Sequence, residues 1–456
     1  VIDFSTIVKA YDVRGTYPDQ INEEAVAALI RGYVVHVKPK KVALGRDVRE
    51  SGPQLFKAAA DAFEAAGVDV VDIGQISTDM LYFAVGHYGL DGGVAITASH
   101  NPREYNGMKF VGRDAIAISG DTGLKEIGEL ATRNLPLATS NKKGMITQKN
   151  ILEDYLNHIR SFGKLDKLPA LTVVANGNFG MAGTVVKKLL EGTPIKLVLI
   201  NGEPDGSFPK GRPDPLIPSN REEVIARVKS EHADFGVAWD ADADRCFFYD
   251  EAGTPIEGYY TTAFLAQILL RGHSGETIIH DPRLTWVVQE VVQEAGGTPF
   301  EYKTGHGFIK DKMRQIDALF AGEMSGHYYF RDNFYADNGM IPFVLVLSEL
   351  AHTGKKISEL YAPLVERAAI SGEINFTLEN AHAVIVELKD LYKALPQKEI
   401  DGLSVEHTRW RFNVRTSNTE PLLRLNVEAR TQADMEHVRD DLIAFLQKRG
   451  AVLKVQ

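Results

Sequence analysis

KVALGRDVRESGPQLFKAAADAFEAAGVDVVDI, Lys41 to Ile73, reads as one strand–helix–strand unit. Lys41–Gly45 is a short apolar strand and a polar loop follows it. An amphipathic helix spans about Gln54–Ala66, and Gly67 closes it before a second strand, Val68–Ile73. Glycine suits that junction because the residue after a helix commonly takes positive φ. The unit recurs twice. LTVVANGNFG (Leu171–Gly180) leads to a helix over Met181–Glu191, Gly192 and a strand over Ile195–Ile200. TIIHDPRL (Thr277–Leu284) leads to a helix over Trp286–Ala295, Gly296-Gly297 and a strand near Phe300.

Each copy runs on into a further apolar strand that breaks into polar residues: GGVAITASHNP from Gly92, DFGVAWDADADR from Asp234 and ALFAGEMSGH from Ala318. In mostly parallel sheets, ligands gather at the loops that follow the carboxyl ends of strands. The sequence therefore predicts three related α/β mixed-sheet domains, each offering one loop from an equivalent position. After Val365 the pattern changes. GEINFTL, RWRFNVR and LLRLNVEAR alternate like strands with one covered face, flanked by helices near Ala383–Ala394 and Ala433–Lys448. This is a C-terminal α+β domain. The expected division is 1–143, 144–251, 252–365 and 366–456.

The bulk numbers agree with such a chain and exclude several classes. At roughly 150 residues per domain, 456 residues give three domains, or four small ones. Cys246 is the single cysteine, which rules out an intrachain disulfide and fits a reducing, cytoplasmic setting. A net charge of −10 argues against nucleic acid as partner, so an anionic substrate must be met by a local basic cleft. No stretch reaches the ~18 apolar residues of a membrane span. Ile341–Leu347 is the longest candidate, and it is expected to be a buried helix. The first fifteen residues show no signal-peptide core, and the missing initiator Met suggests a processed or trimmed chain. The expected state is a monomer or small homo-oligomer.

Four loops carry chemistry. Thr97-Ala98-Ser99-His100-Asn101-Pro102 sets a hydroxyl beside an imidazole, and Asn106-Gly107-Met108-Lys109 turns an ammonium back toward it. A serine hydrolase is one reading, but the G-x-S-x-G elbow is absent. As a direct neighbour, His100 is badly placed to take the Ser99 proton. Asp240, Asp242 and Asp244 alternate with alanines before Arg245, a concentration of hard oxygen ligands suited to Mg²⁺ or Ca²⁺. An EF-hand would have Glu251 at loop position 12, but Arg245 stands where that loop needs glycine. Gly322-Glu323-Met324-Ser325-Gly326-His327 offers a carboxylate, a hydroxyl and an imidazole to sugar hydroxyls, or is an ordinary polar turn. Arg415-Thr416-Ser417-Asn418-Thr419-Glu420-Pro421 is a candidate phosphate cradle, or a polar hairpin. Tyr11, Arg14, Arg283 and His306 are further polar candidates; taken singly, each basic one reads more simply as a surface charge. A nucleophile, a cation site, a polyol binder and an anion site together match phosphoryl transfer on a sugar phosphate.

TASHNPREYNGMKF resembles the phosphoserine loop of the α-D-phosphohexomutases. DADADR is similar to their metal loop, GEMSGH to their sugar loop and RTSNTEP to their phosphate loop, and YDVRG near the start matches as well. The loops occur in the family's order and cover the whole chain. GEMSGH and Asn418 point to the bacterial phosphomannomutase branch, with phosphoglucomutase or a bifunctional enzyme as the alternative. Arg283 departs from the pattern, standing where several relatives carry lysine. The resemblance implies four domains around a central cleft that closes by domain rotation. It implies catalytic Ser99 (as phosphoserine), His100, Lys109 (assisting proton transfer) and Arg245, with Mg²⁺ on Ser99, Asp240, Asp242 and Asp244. Hexose phosphates would be bound by Tyr11, Arg14, Arg283, His306, Glu323, Ser325, His327, Arg415, Ser417, Asn418 and Thr419. The reaction would pass through a hexose 1,6-bisphosphate.

Overall fold

The computed structural model describes residues 2–133, 142–165, 167–416 and 422–454. The chain forms two compact units: Val1–Pro255 with His327–Gly354, and Ile256–Gly326 with Lys355–Gln456. Among the described residues, no helix is long and apolar enough to cross a membrane.

In the first unit, three parallel strands lie in the order Asp69–Gln75, Lys41–Arg46, Gly92–Ile96. The antiparallel strands Tyr105–Gly112 and Val13–Thr16 extend them. A second sheet repeats the arrangement as Lys196–Ile200, Thr172–Asn176, Phe235–Trp239, with Cys246–Tyr249 antiparallel beyond. The second unit has it again as Thr298–Glu301, Thr277–His280, Phe320–Gly322. In all three, the strand opening each repeat lies in the middle and the chemistry-bearing loop follows the third strand. The repeat read in the sequence is thus a repeat of topology: three α/β/α mixed-sheet domains.

The helices follow their apolar periodicity. Gly52–Ala65 starts two residues before the sequence estimate, because Pro53 is well suited to a first helical turn. Its Leu55, Ala59 and Phe63 pack with Leu29, Ile30 and Tyr33 of the helix Glu23–Val37 over Val42, Leu44, Val70 and Val94 of the sheet. Each large apolar side chain so buried contributes roughly 1.5–3 kcal/mol. Ile341–Leu347 lies within the buried helix Met340–Thr353, as its apolar run predicts.

The fourth domain carries the mainly antiparallel strands Ile374–Thr377, Leu403–Glu406, Trp410–Thr416 and Leu422–Ala429, with the helices Ala381–Leu391 and Gln432–Gln447. Phe412, Val414, Leu423, Leu425 and Val427 form its core with those helices. The expectation of one covered face fails here. The polar face is buried too, as cross-strand pairs Arg411/Glu428 and Asn413/Asn426. Arg411 donates to the carbonyls of Arg283 and Pro282, both at 2.9 Å. Glu428 accepts from the backbone N–H of Thr285 at 3.0 Å and Trp286 at 3.3 Å. The alternation of residue type is real, but the polar residues face backbone rather than water.

Candidate active site

Ser99 follows the strand Gly92–Ile96 in the left-handed region, φ 48°. Its N–H donates to Thr97 Oγ1 at 2.9 Å. Its Oγ lies 3.1 Å from Asp240 Oδ2 and 3.0 Å from His100 Nδ1. The second distance corrects the sequence reading of His100: the left-handed backbone at Ser99 turns two consecutive side chains onto one side. Burial, reinforced by the positive charges of Arg245, Arg14 and Arg212, lowers the His100 pKa well below the ordinary histidine value, so its ring is neutral.

Asp240, Asp242 and Asp244 are all buried, and they place carboxylate oxygens within 4.8 Å of one another. Burial, with the charges of Asp244 and Asp242, pushes the Asp240 carboxyl up to about 7 against the pull of Arg245. Arg245 Nε donates to Asp240 Oδ2 at 2.9 Å. Lys109 Nζ reaches Asp242 Oδ2 at 2.9 Å and Asp244 Oδ2 at 2.6 Å. Burial pulls the Lys109 pKa down, but those two carboxylates outweigh it and hold the side chain as an ammonium. His327 Nε2 is 3.4 Å from Asp244 Oδ1. The buried Oδ1 of Asp242 makes no hydrogen bond, and that of Asp244 faces only His327. An orphaned carboxylate oxygen on a converging triplet fits a hard divalent cation. Arg14 donates to Asn101 Oδ1 at 2.6 Å and pairs with Asp12 at 2.8 Å, with half-buried Tyr11 alongside in sequence. The first unit therefore gathers Arg14, Ser99, His100, Lys109, the three aspartates, Arg245 and His327.

The sequence reading missed the parts that hold these loops. Arg49, 1% exposed, donates to the carbonyls of Ser99 (2.7 Å), Asn101 (2.7 Å), Pro102 (2.7 Å) and Tyr105 (2.9 Å). Asp47 pairs with its Nε at 3.3 Å, and its guanidinium lies 5.1 Å from the ring centre of Phe208. Thr78 opens the helix Thr78–His87 and donates its N–H to Asp242 O at 2.9 Å and its hydroxyl to Asp242 Oδ2 at 2.5 Å. Gly180 and Gly339 press their backbones on the aspartate loop, and a Cβ would lie 2.2 Å from Ala241 O or 2.4 Å from Ala243 O. Arg49 and Thr78 also follow carboxyl ends of parallel strands, a position that could have flagged them.

The second unit brings together Arg283, Glu323, His306 and Arg415. Arg283 makes a fork on Asp281, Nε to Oδ1 at 3.0 Å and NH2 to Oδ2 at 2.7 Å. Lysine could not make that paired contact. Asp281 Oδ2 also accepts from Met324 N at 2.9 Å, and Arg283 NH2 lies 4.0 Å from Glu323 Oε1. Glu323 accepts from Gly305 N at 3.1 Å, where His306 begins the helix His306–Ile316. Arg415 pairs with Glu373 at 3.1 Å and lies 4.0 Å from Asp401, which accepts from Thr304 N at 3.1 Å. Ser325 is half-buried in the same loop as Glu323. The division between the two units runs through that loop, leaving Ser325 on one side and His327 on the other. Ser417, Asn418 and Thr419 lie outside the described residues.

Models of the phosphoglucomutase/phosphomannomutase domains match the chain in order: α/β/α domain I over 5–136, II over 153–253, III over 257–368 and the C-terminal domain over 373–445. A phosphomannomutase of Escherichia coli strain K12 is 43% identical, covering 95% of this chain and 97% of that one. A protein of Xanthomonas campestris pv. campestris (strain ATCC 33913) described as phosphohexose mutases is 42% identical, covering 96% and 98%. The crystal structure of a phosphoglucomutase/phosphomannomutase family protein from Burkholderia thailandensis superposes with a TM-score of 0.89 at 32% identity, covering 100% of both chains.

Proposed function

Because this chain belongs to the phosphoglucomutase/phosphomannomutase family of α-D-phosphohexomutases, and is thus a phosphohexomutase family enzyme, we propose that it interconverts mannose 6-phosphate and mannose 1-phosphate. The observation that carries this is Ser99 Oγ at 3.1 Å from Asp240 Oδ2, on the rim of the buried carboxylate triplet. A serine phosphorylated there would place its phosphate oxygens against the cation those carboxylates suit.

The arrangement supports the following roles. The P–Oγ bond of phosphorylated Ser99 breaks as a bond forms from phosphorus to the oxygen of the sugar hydroxyl, whose proton passes to solvent while Oγ gains one from Lys109. The resulting hexose 1,6-bisphosphate returns its other phosphate to Ser99. His100 orients Oγ as a neutral ring. Lys109, an ammonium here, is the candidate to donate a proton and to take it back in the return transfer. Arg245 and Arg14 supply positive charge beside the Ser99 loop. Mg²⁺ on Ser99, Asp240, Asp242 and Asp244 would offset charge on the transferring phosphoryl group. In the second unit, Glu323 and Ser325 offer partners to sugar hydroxyls, and Arg415 with Arg283 and His306 offers charge to a phosphate. Ser417, Asn418 and Thr419 belong to this role by family resemblance, as do Tyr11 and His327 to substrate binding.

A coupled assay on mannose 1-phosphate and glucose 1-phosphate, with Mg²⁺ and a trace of hexose 1,6-bisphosphate, tests the reading. Conversion of the mannose ester with the larger kcat/KM supports it. Preference for glucose 1-phosphate would replace it with phosphoglucomutase. Phosphate on Ser99 by mass spectrometry, and loss of turnover in Ser99→Ala, test the covalent step.

A further inference from the structure

Arg415 and Arg424 stand directly opposite each other in the ladder formed by Trp410–Thr416 and Leu422–Ala429. Like charges at directly opposed positions repel. Arg283 brings a third guanidinium to the same place. One side chain reconciles them. Glu373, just before the strand Ile374–Thr377, sets Oε2 at 3.1 Å from Arg415 NH2 and 3.5 Å from Arg283 NH1, and Oε1 at 3.2 Å from Arg424 NH1. Burial alone would raise its pKa, but the three arginines more than offset this and hold the carboxyl below the ordinary range. The carboxylate is therefore charged and shared three ways. Arg415 is only 5% exposed while Glu373 keeps 20% of its side chain accessible and Arg424 21%, so an incoming anion meets Glu373 and Arg424 before Arg415. Arg415 Nε is buried without a hydrogen bond, which leaves donor capacity that two carboxylate oxygens do not use.

We propose that Glu373 is a specificity-determining stand-in for the substrate's phosphate: it holds the three arginines together in the free enzyme and must yield them to the incoming anion. The inference rests on the reading of Arg415 as part of a phosphate cradle. A phosphomonoester brings three terminal oxygens and about −1.5 to −2 charges, against two oxygens and one charge on Glu373. Exchange therefore favours a dianion and rejects a singly charged group, which gains nothing over the carboxylate already there. Glu373 thus sets the charge of the ligand, a choice that the arginines alone would leave open.

Isothermal titration of the full-length protein with inorganic phosphate and with dimethyl phosphate, a monoanion, tests this. Glu373→Gln should tighten inorganic phosphate by about tenfold and let dimethyl phosphate bind where wild type shows no heat. Glu373→Asp, which keeps the charge on a shorter stem, should fall between the two and decides the matter if the glutamine variant does not fold. Bare Glu373→Gln should melt below wild type, with phosphate raising its melting temperature by more than it raises that of wild type. Unchanged or weaker phosphate binding in the variants would overturn the proposal, because Glu373 would then be scaffold and not competitor. Mutase turnover of wild type is assayed separately. Absent turnover with tightened phosphate would sink the functional reading and leave this one standing.

Discussion

The Ser99–aspartate region and the arginine cradle face the same problem with opposite sign. In the first, buried carboxylates converge, and Lys109 sits between Asp242 and Asp244. In the second, guanidiniums converge, and Glu373 sits among Arg283, Arg415 and Arg424. Each region keeps a side chain with the charge of the ligand proposed for it. Like charges gathered out of water are unaffordable without compensation, so a ligand site that must exist before its ligand arrives needs a resident counter-ion. The two solutions differ in rigidity. Lys109 lies in the middle of the strand Tyr105–Gly112, whereas Glu373 lies between Gly372, φ 68°, and the start of a strand. The first counter-ion is fixed in the sheet; the second stands at its margin.

Four substitutions would break or sharpen this contrast. The largest effect concerns a fourth buried carboxyl near the aspartates, Asp79. Burial pushes it up to about 7 against hydrogen bonds from Ser77 and Tyr155. With the folded pKa above the unfolded one, the protonated group adds stability below about pH 4 that is lost as pH rises to 7. Asp79→Asn should therefore gain on wild type between pH 4 and 7 and level off above that, at on the order of 4 kcal/mol. Urea unfolding at several pH values measures it, and a flat difference would mean that Asp79 is ionised throughout.

Next, Arg49→Met should lower kcat by about 10²-fold with little change in KM, since it loosens the Ser99 loop and not a substrate contact. Faster hydrogen exchange over residues 99–105 should accompany the loss; a KM effect alone would place Arg49 in binding. In the cradle, Arg415→Ala should do the reverse, raising KM by roughly thirtyfold with kcat nearly kept. A matching fall in kcat would show the arginine acting on the transition state. The smallest change is expected at Lys109→Met. Removing the ammonium should tighten Mg²⁺ by about tenfold in calorimetry, whatever happens to turnover. Weaker Mg²⁺ binding would mean that Lys109 shapes the aspartates and does not compete for them.

The chemistry-bearing loops were legible because each is contiguous: Thr97–Asn101, Asp240–Arg245 and Gly322–His327 carry their functional groups within a few residues. The repeat was legible for the same reason, since a strand, a helix and a glycine follow one another locally. The supports were not. Arg49 answers to carbonyls fifty or more residues away, Thr78 to Asp242 and Glu373 to Arg424, and periodicity says nothing about such pairs. The second failure was physical. Alternation in Trp410–Thr416 announces two unlike faces, but it cannot say whether the polar face meets water or the backbone of Pro282–Trp286. His100 fails for a third reason: the positive φ of Ser99 is invisible in the residue names, and it decides where the imidazole points.

Arg411 and Glu428 bind the main chain of residues 282–286 from strands more than a hundred residues later. Main-chain atoms are the same whatever the sequence, but the path of a loop is not. A chimera that takes its last domain from an enzyme of another sugar preference inherits two buried charges cut to a particular loop. The unit of exchange between such enzymes is therefore the C-terminal domain together with the turn around Arg283, and recombination points placed at the apparent domain seam would separate groups that hydrogen-bond to one another.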